Sequence, residues 1–270
     1  MDANSEKKIK VLPNGPYEVI GDIPLNQLRY VNDRKGASTG YKEIQKYSPE
    51  GVYHLCRCGG SHNKPFCDGT HKKNGFKGDT TASHDTYDEM SVLYEGKVID
   101  MLDAESLCAV ARFCDTHGTS WEQVEEGDSA ETIEIVKQQC ANCPSGRLTA
   151  VTKDGKRIEP ELPEGISILE DVALSVHGPI WVKGGIPIED EHGRVYPVRN
   201  RVTCAVAVCL RINRSATEST CETRESWTIK KIAADVFPKR IHAFYQEGAC
   251  FSEKRWQQSF DRYLPVKFFL

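Results

Sequence analysis

The sequence predicts an α+β chain in which a β-rich unit, split into two halves, encloses a small insert of strands and helices. Residues 15–53 combine strand-forming side chains with Gly and Asn-Asp turn signals. Residues 130–139 carry apolar side chains at helical spacing. The segment 15–25 recurs at 178–188, with Gly, Pro, Val, Gly, Ile and Pro at matching offsets, and this repeat predicts a duplicated lead-in strand for each half.

The other elements follow from local signals. Residues 1–12 are polar and predict a loose arm, and the polar, acidic stretch 80–92 predicts a linker. A strand over Val52–Leu55 leads directly into Cys56. The insert is expected to contain, in order, a hairpin at 92–100, a helical segment at 104–114, a helix at 130–139, and a hairpin at 148–158 that turns at Asp154-Gly155.

Composition narrows the possible functions. The 270 residues have a formal net charge of −4, which argues against a nucleic-acid binder. No run approaches 18 apolar residues and the first residues lack an apolar core, so we expect no membrane span, no secretory signal and a cytoplasmic location. The 11 cysteines are odd in number and clustered, which favours metal ligation over disulfides.

The strongest signal is the stretch from Leu55 to His71. It holds three thiols and one imidazole, contributed by Cys56, Cys58, Cys67 and His71. If Asp68 opens a short helix, Cys67 and His71 project from the same side of its first turn. Four metal-binding side chains then converge, which predicts a metal site.

This stretch resembles the CDGSH iron–sulfur (NEET-type) family. The resemblance rests on Cys56-Arg57-Cys58, Ser61, Asn63-Lys64-Pro65 and Cys67-Asp68-Gly69-Thr70-His71, where Thr70 replaces the Ser of the family name. It implies a [2Fe–2S] cluster with Cys56 and Cys58 on one iron and Cys67 and His71 on the other. A neutral imidazole in place of a thiolate removes negative charge and raises the reduction potential.

Roles for the neighbouring residues follow from this assignment. We expect Asp68 to cap the helix start, Gly69 to let the backbone lie close to the cluster, and Lys64 and Arg57 to donate to cluster sulfides or to a partner. A structural zinc site is the alternative. Zinc favours cysteine pairs with two to four intervening residues, whereas only Arg57 lies between Cys56 and Cys58.

A second cysteine group lies in the insert, at Cys108, Cys114, Cys140 and Cys143. Cys108, Cys114 and the Cys143-Pro144 pair resemble the divergent single-cluster ferredoxin domain, which implies a second cluster, [4Fe–4S] or [3Fe–4S]. Cys140 is not a regular part of that pattern but could complete a four-thiolate set. The alternative is that Cys108 and Cys114 are small buried hydrophobes at a vestigial site.

The repeat also predicts a second metal motif near residue 205, and the chain does not contain one. If the reading frame slipped by one nucleotide near Thr203, the codons of residues 204–208 permit Leu-Cys-Arg-Cys-Gly, and those of 212–218 permit Asn-Lys-Pro-Phe-Cys-Asp-Gly. We therefore hypothesise that residues 204–270 are a frameshifted tail. A coding sequence that gives no Cys-Arg-Cys-Gly when read one base earlier would rule this out.

These features predict four segments: a CDGSH module at 11–80, a ferredoxin-like cluster domain at 90–163, an incomplete second β half at 170–203 and the tail at 204–270. The expected function is one-electron transfer or redox sensing, with a redox partner protein. Alternatives are cluster storage and transfer to apo-proteins, or an electron-carrying subunit of a larger enzyme. No nucleotide loop, acid–base pair or nucleophile constellation is evident, so we expect no catalysis by this chain alone.

Overall fold

The computed structural model describes residues 7–174 and 176–207, and in this part of the chain the strands form three sheets of four, five and four strands. The strands are, in chain order, β1 (Lys8–Val11), β2 (Tyr17–Ile20), β3 (Leu25–Asn32), β4 (Ser38–Tyr47), β5 (Tyr53–Leu55), β6 (Val92–Tyr94), β7 (Asp100–Asp103), β8 (Leu148–Val151), β9 (Arg157–Ile158), β10 (Gly165–Asp171), β11 (Val176–Lys183), β12 (Ile188–Glu189) and β13 (Arg201–Cys204). The α-helices are α1 (Tyr87–Met90), α2 (Ser120–Glu126) and α3 (Ala130–Asn142). Short 3₁₀ turns lie at Thr70–Lys72, Glu105–Leu107 and Phe113–Asp115. The predicted α+β class is confirmed.

Strand β1 corrects the expectation of a loose arm at residues 1–12. Ile9 and Val11 are buried, while Lys8 and Lys10, which alternate with them, are partly exposed. This alternation has the period of a strand, and the high charge of the segment obscured it. The strand lies inside its sheet, whose order is β12-β1-β2-β5. Residues 1–6 lie outside the described part of the chain.

Strands β1–β5, which we call the first half, and strands β10–β13, the second half, complete each other's sheets. β1 pairs in parallel with β12, with Ile9 opposite Ile188. β10 pairs in parallel with β3, with Ile166 opposite Leu25. The Ile9 N–H also donates to the Pro187 carbonyl, just before β12, at 2.9 Å. The Ile166 N–H donates to the Pro24 carbonyl, just before β3, at 2.8 Å. The exchange of strands is therefore reciprocal.

The antiparallel pair β2–β5 in the first half and the pair β11–β13 in the second half have equivalent registers. β2 pairs antiparallel with β5, with Tyr17 opposite Leu55. β11 pairs antiparallel with β13, with Ile180 opposite Cys204. Tyr17 and Ile180 occupy the same position in the sequence repeat. The predicted duplication of the lead-in strand is therefore confirmed in the structure.

The insert consists of the sheet β6-β7-β8-β9 and helices α2 and α3. Helix α3 covers the predicted segment, and the Ser129 side chain accepts a bond from the Thr132 N–H at its start. Helix α2 was not predicted, although Thr119 and Glu122 form a capping box there. The apolar core of the insert lies between sheet and helices and comprises Ile99, Met101, Val124, Val136, Cys140, Leu148 and Ala150.

The segment 104–114 is not the helix that its composition suggested. Two 3₁₀ turns flank a loop in which Val110 and Arg112 have φ angles of 54° and 59°. A left-handed backbone interrupts a helix, and a β-branched residue such as valine rarely adopts it. The loop is anchored by Arg112, whose guanidinium donates two bonds to the Asp171 carboxylate at 2.8 and 3.0 Å and one to the Gly36 carbonyl at 2.9 Å.

The predicted linker at 80–92 contains the short helix α1, which begins with a capping box between Thr86 and Glu89. It is also fixed to the turn after β12, because His84 stacks on Tyr196 with ring centroids 4.1 Å apart and lies 3.2 Å from the Asp190 carboxylate. Within residues 7–174 and 176–207, no helix has both the length and the apolar character needed to cross a membrane.

Candidate metal centres

The first candidate centre is a loop that a strand bridge folds back on itself. Leu55 and Phe66 form an antiparallel bridge at the end of β5. Next to it, the Cys56 N–H donates to the Pro65 carbonyl at 2.8 Å, and the Cys67 N–H donates to the His54 carbonyl at 2.9 Å. These bonds hold Cys56 and Cys67 side by side, although eleven positions separate them in sequence.

The four predicted ligands stand as two pairs. The Sγ atoms of Cys56 and Cys58 lie 3.9 Å apart, and Cys67 Sγ lies 3.4 Å from His71 Nδ1. Two ligands of one tetrahedral metal ion, bound at about 2.3 Å for sulfur and about 2.1 Å for nitrogen, lie about 3.6–3.8 Å apart. Each pair therefore matches one edge of a metal tetrahedron. In the described residues, no three His, Cys, Asp or Glu side chains form a group that could hold one ion.

The thiols of the first candidate centre are buried or half-buried and lie close to backbone N–H groups. Cys56 and Cys58 are buried, whereas Cys67 and His71 are half-buried. Burial raises the pKa of the Cys56 thiol to about 11. The Gly60 N–H lies 3.4 Å from Cys58 Sγ, and the Gly69 N–H lies 3.5 Å from Cys67 Sγ. Such donors stabilise thiolate sulfur once a metal has displaced the protons.

The structure refines the expected roles of Asp68 and Gly69. Asp68 accepts bonds from the N–H groups of His62 at 2.8 Å and Thr70 at 3.0 Å, and these bonds hold the pKa of its carboxyl below the usual range. It thus fixes the start of the 3₁₀ turn, whose formal cap is Gly69. Gly69 has a φ of 82°, and among the described residues a Cβ there would meet nothing within 4 Å. Glycine adopts this left-handed backbone angle without strain. The expected close approach to the cluster stays a prediction.

Arg57 has a structural role that differs from the donor role expected for it. Its guanidinium donates to the carbonyls of Gly78 at 2.5 Å and Leu12 at 3.3 Å. It also lies over the rings of Tyr17 and Phe76, at 5.6 and 5.7 Å from their centroids. These contacts tie the segment between the two cysteines to the rest of the module.

The second candidate centre is built from the loop 108–114 and the end of α3. Cys108 follows the first 3₁₀ turn of the loop, Cys114 lies in the second, and Cys143 follows α3 directly. Burial, followed by the charges of Cys143 and Cys108, raises the pKa of Cys114 to about 12. Arg147 lies beside Cys108 and forms a two-point ion pair with Asp103, at 2.6 and 2.8 Å. The structure thus brings these three thiols into one region.

Cys140 differs from the other three cysteines of this group. It is fully buried on α3 among the apolar side chains of the insert core. Burial raises the pKa of its thiol further than that of Cys114. The charge of Cys143 contributes to this shift after burial, which places Cys140 near the others. Its surroundings are those of a small core residue.

Sequence reasoning missed Arg201, which holds the loop that follows α3. Its buried guanidinium donates to the carbonyls of Cys140 at 2.7 Å, Ala141 at 2.6 Å, Cys143 at 3.2 Å and Leu148 at 3.2 Å. The last carbonyls of a helix otherwise lack partners. A residue of the second half therefore completes the end of the helix that carries Cys140 and leads into Cys143. No local pattern in the sequence marks this contact.

The second half has no thiols at the positions equivalent to Cys56 and Cys58. Because Cys204 is the register equivalent of Leu55, Ala205 and Ala207 occupy those two positions. They lie against the first module, since Ala205 accepts a bond from the Tyr17 hydroxyl at 2.7 Å and Ala207 donates to the Arg57 carbonyl at 2.8 Å. The frameshift hypothesis also places Ala205 and Ala207 at the positions of Cys56 and Cys58. It concerns mainly residues 208–270, however, which lie outside the described part of the chain.

These features define a chain with two groups of candidate metal ligands, and two family models match it. Residues 14–72 match the family of iron-binding zinc fingers of CDGSH type. Residues 94–153 match the family of divergent 4Fe-4S mono-clusters. The chain is therefore an iron–sulfur-binding protein that combines a CDGSH-type domain with a divergent 4Fe–4S domain. Searches of curated proteins and of solved structures gave no match.

The two cysteines at the end of α3 are expected to respond differently to replacement. In a chain loaded with iron and sulfide, Cys143→Ala is expected to lower the iron held by the insert, because the charge of Cys143 contributes to the raised pKa of Cys114 and the two thiols are therefore close. Cys140→Ala is expected to retain most of that iron and to lower stability by about 1 kcal/mol through a small core cavity. Iron per chain, measured on both variants, checks this. Equal iron loss in the two variants would make Cys140 a ligand.

Proposed function

We propose that this chain carries electrons, or senses redox state, through a [2Fe–2S] cluster held by Cys56, Cys58, Cys67 and His71. The observation that supports it is the arrangement of the four donors in two pairs, 3.9 and 3.4 Å apart. One pair on each of two irons accounts for this arrangement. A structural zinc ion would need all four donors around one point.

The chain's own residues set the conditions for this chemistry. When bound, the cluster supplies a centre that takes up and returns one electron. The buried pair, Cys56 and Cys58, excludes water from one side of the site. The neutral imidazole of His71 contributes no negative charge, which favours the reduced state compared with a fourth thiolate.

The accessible side of the site is the side of Cys67 and His71, which are half-buried. Around it the lysines at 64, 72, 73 and 77 are exposed. Electron exchange requires close approach of a partner, so we propose a redox protein that presents an acidic surface to this rim. Salt would weaken the encounter, because exposed charges are screened.

In the insert we propose a second cluster, [4Fe–4S] or [3Fe–4S], held by Cys108, Cys114 and Cys143. Cys140 is a fourth ligand if Cys140→Ala loses as much iron as Cys143→Ala. The strained backbone at Val110 supports a functional loop here, because such conformations persist only where the surroundings enforce them. We propose that the chain is a carrier and not itself an enzyme.

Reconstitution of the full chain with iron and sulfide tests the proposal. We expect two irons and two acid-labile sulfides at the first site, and a reduced-state paramagnetic signal that is lost in Cys67→Ala but kept in Cys143→Ala. Reversible redox cycling with the iron retained supports electron transfer. A single zinc ion with no sulfide at the first site would contradict the proposal.

Cluster transfer is the second candidate function, favoured by the partial exposure of His71. A partly exposed ligand lets an acceptor protein approach this side of the cluster. Mixing the loaded chain with an apo-ferredoxin distinguishes the two functions. Rapid movement of the first cluster to the acceptor would favour transfer, and retention on the chain would favour electron transfer.

A further inference from the structure

Asn74 lies beside the first candidate centre, one turn after His71. Its N–H donates to the Thr70 carbonyl at 3.0 Å, which fixes it at the end of the 3₁₀ turn. Its side-chain Oδ1 accepts a bond from the Phe76 N–H at 3.1 Å. Because only the oxygen of the amide can accept, this bond settles the orientation of the side chain and identifies the opposite atom as the NH₂ group.

That NH₂ group is buried and lacks a hydrogen-bond partner among the described residues. A buried donor without a partner is unfavourable, because it has lost its hydrogen bond to water and gained none in return, so its presence here calls for an explanation. The geometry at Gly60 shows what lies nearby. A Cβ atom on Gly60 would be 2.8 Å from Asn74 Nδ2 and 3.7 Å from Cys58 Sγ. The absence of a side chain there leaves the space between amide and thiol open.

We propose that the Asn74 amide donates a hydrogen bond to a sulfur of the cluster held by Cys56, Cys58, Cys67 and His71. Asn74 then contacts the cluster directly, and Gly60 is required because a Cβ there would lie 2.8 Å from Asn74 Nδ2, in the path of this bond. The inference rests on the proposed function of the site. A donor to cluster sulfur stabilises the more negative, reduced state, so Asn74 raises the reduction potential and slows cluster loss.

Asn74→Ser in the full-length chain tests this inference. A serine hydroxyl can still accept the Phe76 N–H in the same kind of turn, but it is too short to reach the cluster. We expect full cluster loading, a reduction potential below that of the parent chain, and roughly fivefold faster cluster loss, as for the removal of one hydrogen bond. The readout is the redox signal that is absent in His71→Ala.

Asn14→Ser is the matched control. Asn14 also accepts a backbone N–H, from Gly78 at 2.9 Å, but it is an exposed residue. The Asn14→Ser variant shows whether a general loosening of the module changes the cluster. Its reduction potential is expected to equal that of the parent chain. Asn74→Asp is the second variant, because it keeps the size and the acceptor but replaces the donor by a carboxylate. We expect a still lower potential for it.

The possible outcomes distinguish a failure of the proposed function from a failure of the inference about Asn74. If the parent chain binds no sulfide at the first site, the proposed function fails. If the parent chain is loaded and Asn74→Ser keeps its potential and cluster lifetime, the inference about Asn74 is overturned while the proposed function stands. The same reversal follows if Asn14→Ser lowers the potential as much as Asn74→Ser does.

Discussion

Replacing His71 by cysteine is expected to lower the reduction potential of the first cluster by on the order of 200 mV or more. A fourth thiolate adds negative charge where the imidazole adds none, which disfavours the reduced state.

Voltammetry of the parent chain and the variant measures this difference in reduction potential. His62→Ala provides a control, because His62 lies in the same loop with 72% of its side chain exposed and is not a predicted ligand. The His62→Ala variant should keep the reduction potential of the parent chain. A His71→Cys chain with the potential of the parent would remove His71 from the ligand set.

Replacing Arg201 by glutamine is expected to destabilise the fold by about 3–5 kcal/mol. The guanidinium is 1% exposed and donates to four backbone carbonyls at the end of α3 and the start of β8. A shorter amide cannot reach all of them, so buried acceptors lose their partners. Arg201→Lys is expected to be nearly as damaging, since a single ammonium cannot reproduce the planar fork.

Urea unfolding followed by circular dichroism provides the measurement. Arg29→Gln is the matched control, because Arg29 pairs with Glu170 at 2.9 Å but is 40% exposed. Its loss is expected to change stability by less than about 1 kcal/mol. Similar effects of the two substitutions would mean that Arg201 does not hold the insert to the second half.

The sequence predicted what depends on local pattern. The spacing of Cys56, Cys58, Cys67 and His71 located the first centre, and helical periodicity located α3. The prediction was wrong at 104–114, where helical composition was overridden by the anchoring of Arg112 to Asp171. It was also wrong at β1, where charge obscured a short alternation.

The contacts that join the parts of the chain could not be predicted. Arg201 reaches carbonyls about 60 positions earlier in the chain, and nothing in its own surroundings marks it as buried. The environment of the Asn74 amide could not be predicted from its sequence neighbours either. Its importance depends on the space left by Gly60, fourteen positions earlier, which only the folded backbone reveals.

The reciprocal pairing of β1 with β12 and of β10 with β3 has a consequence for solubility. The strands of the second half are the neighbours that β1 and β3 require, and their removal would leave both with bare edges open to aggregation. The second half therefore protects the first from edge-to-edge association, whether or not the second half binds metal.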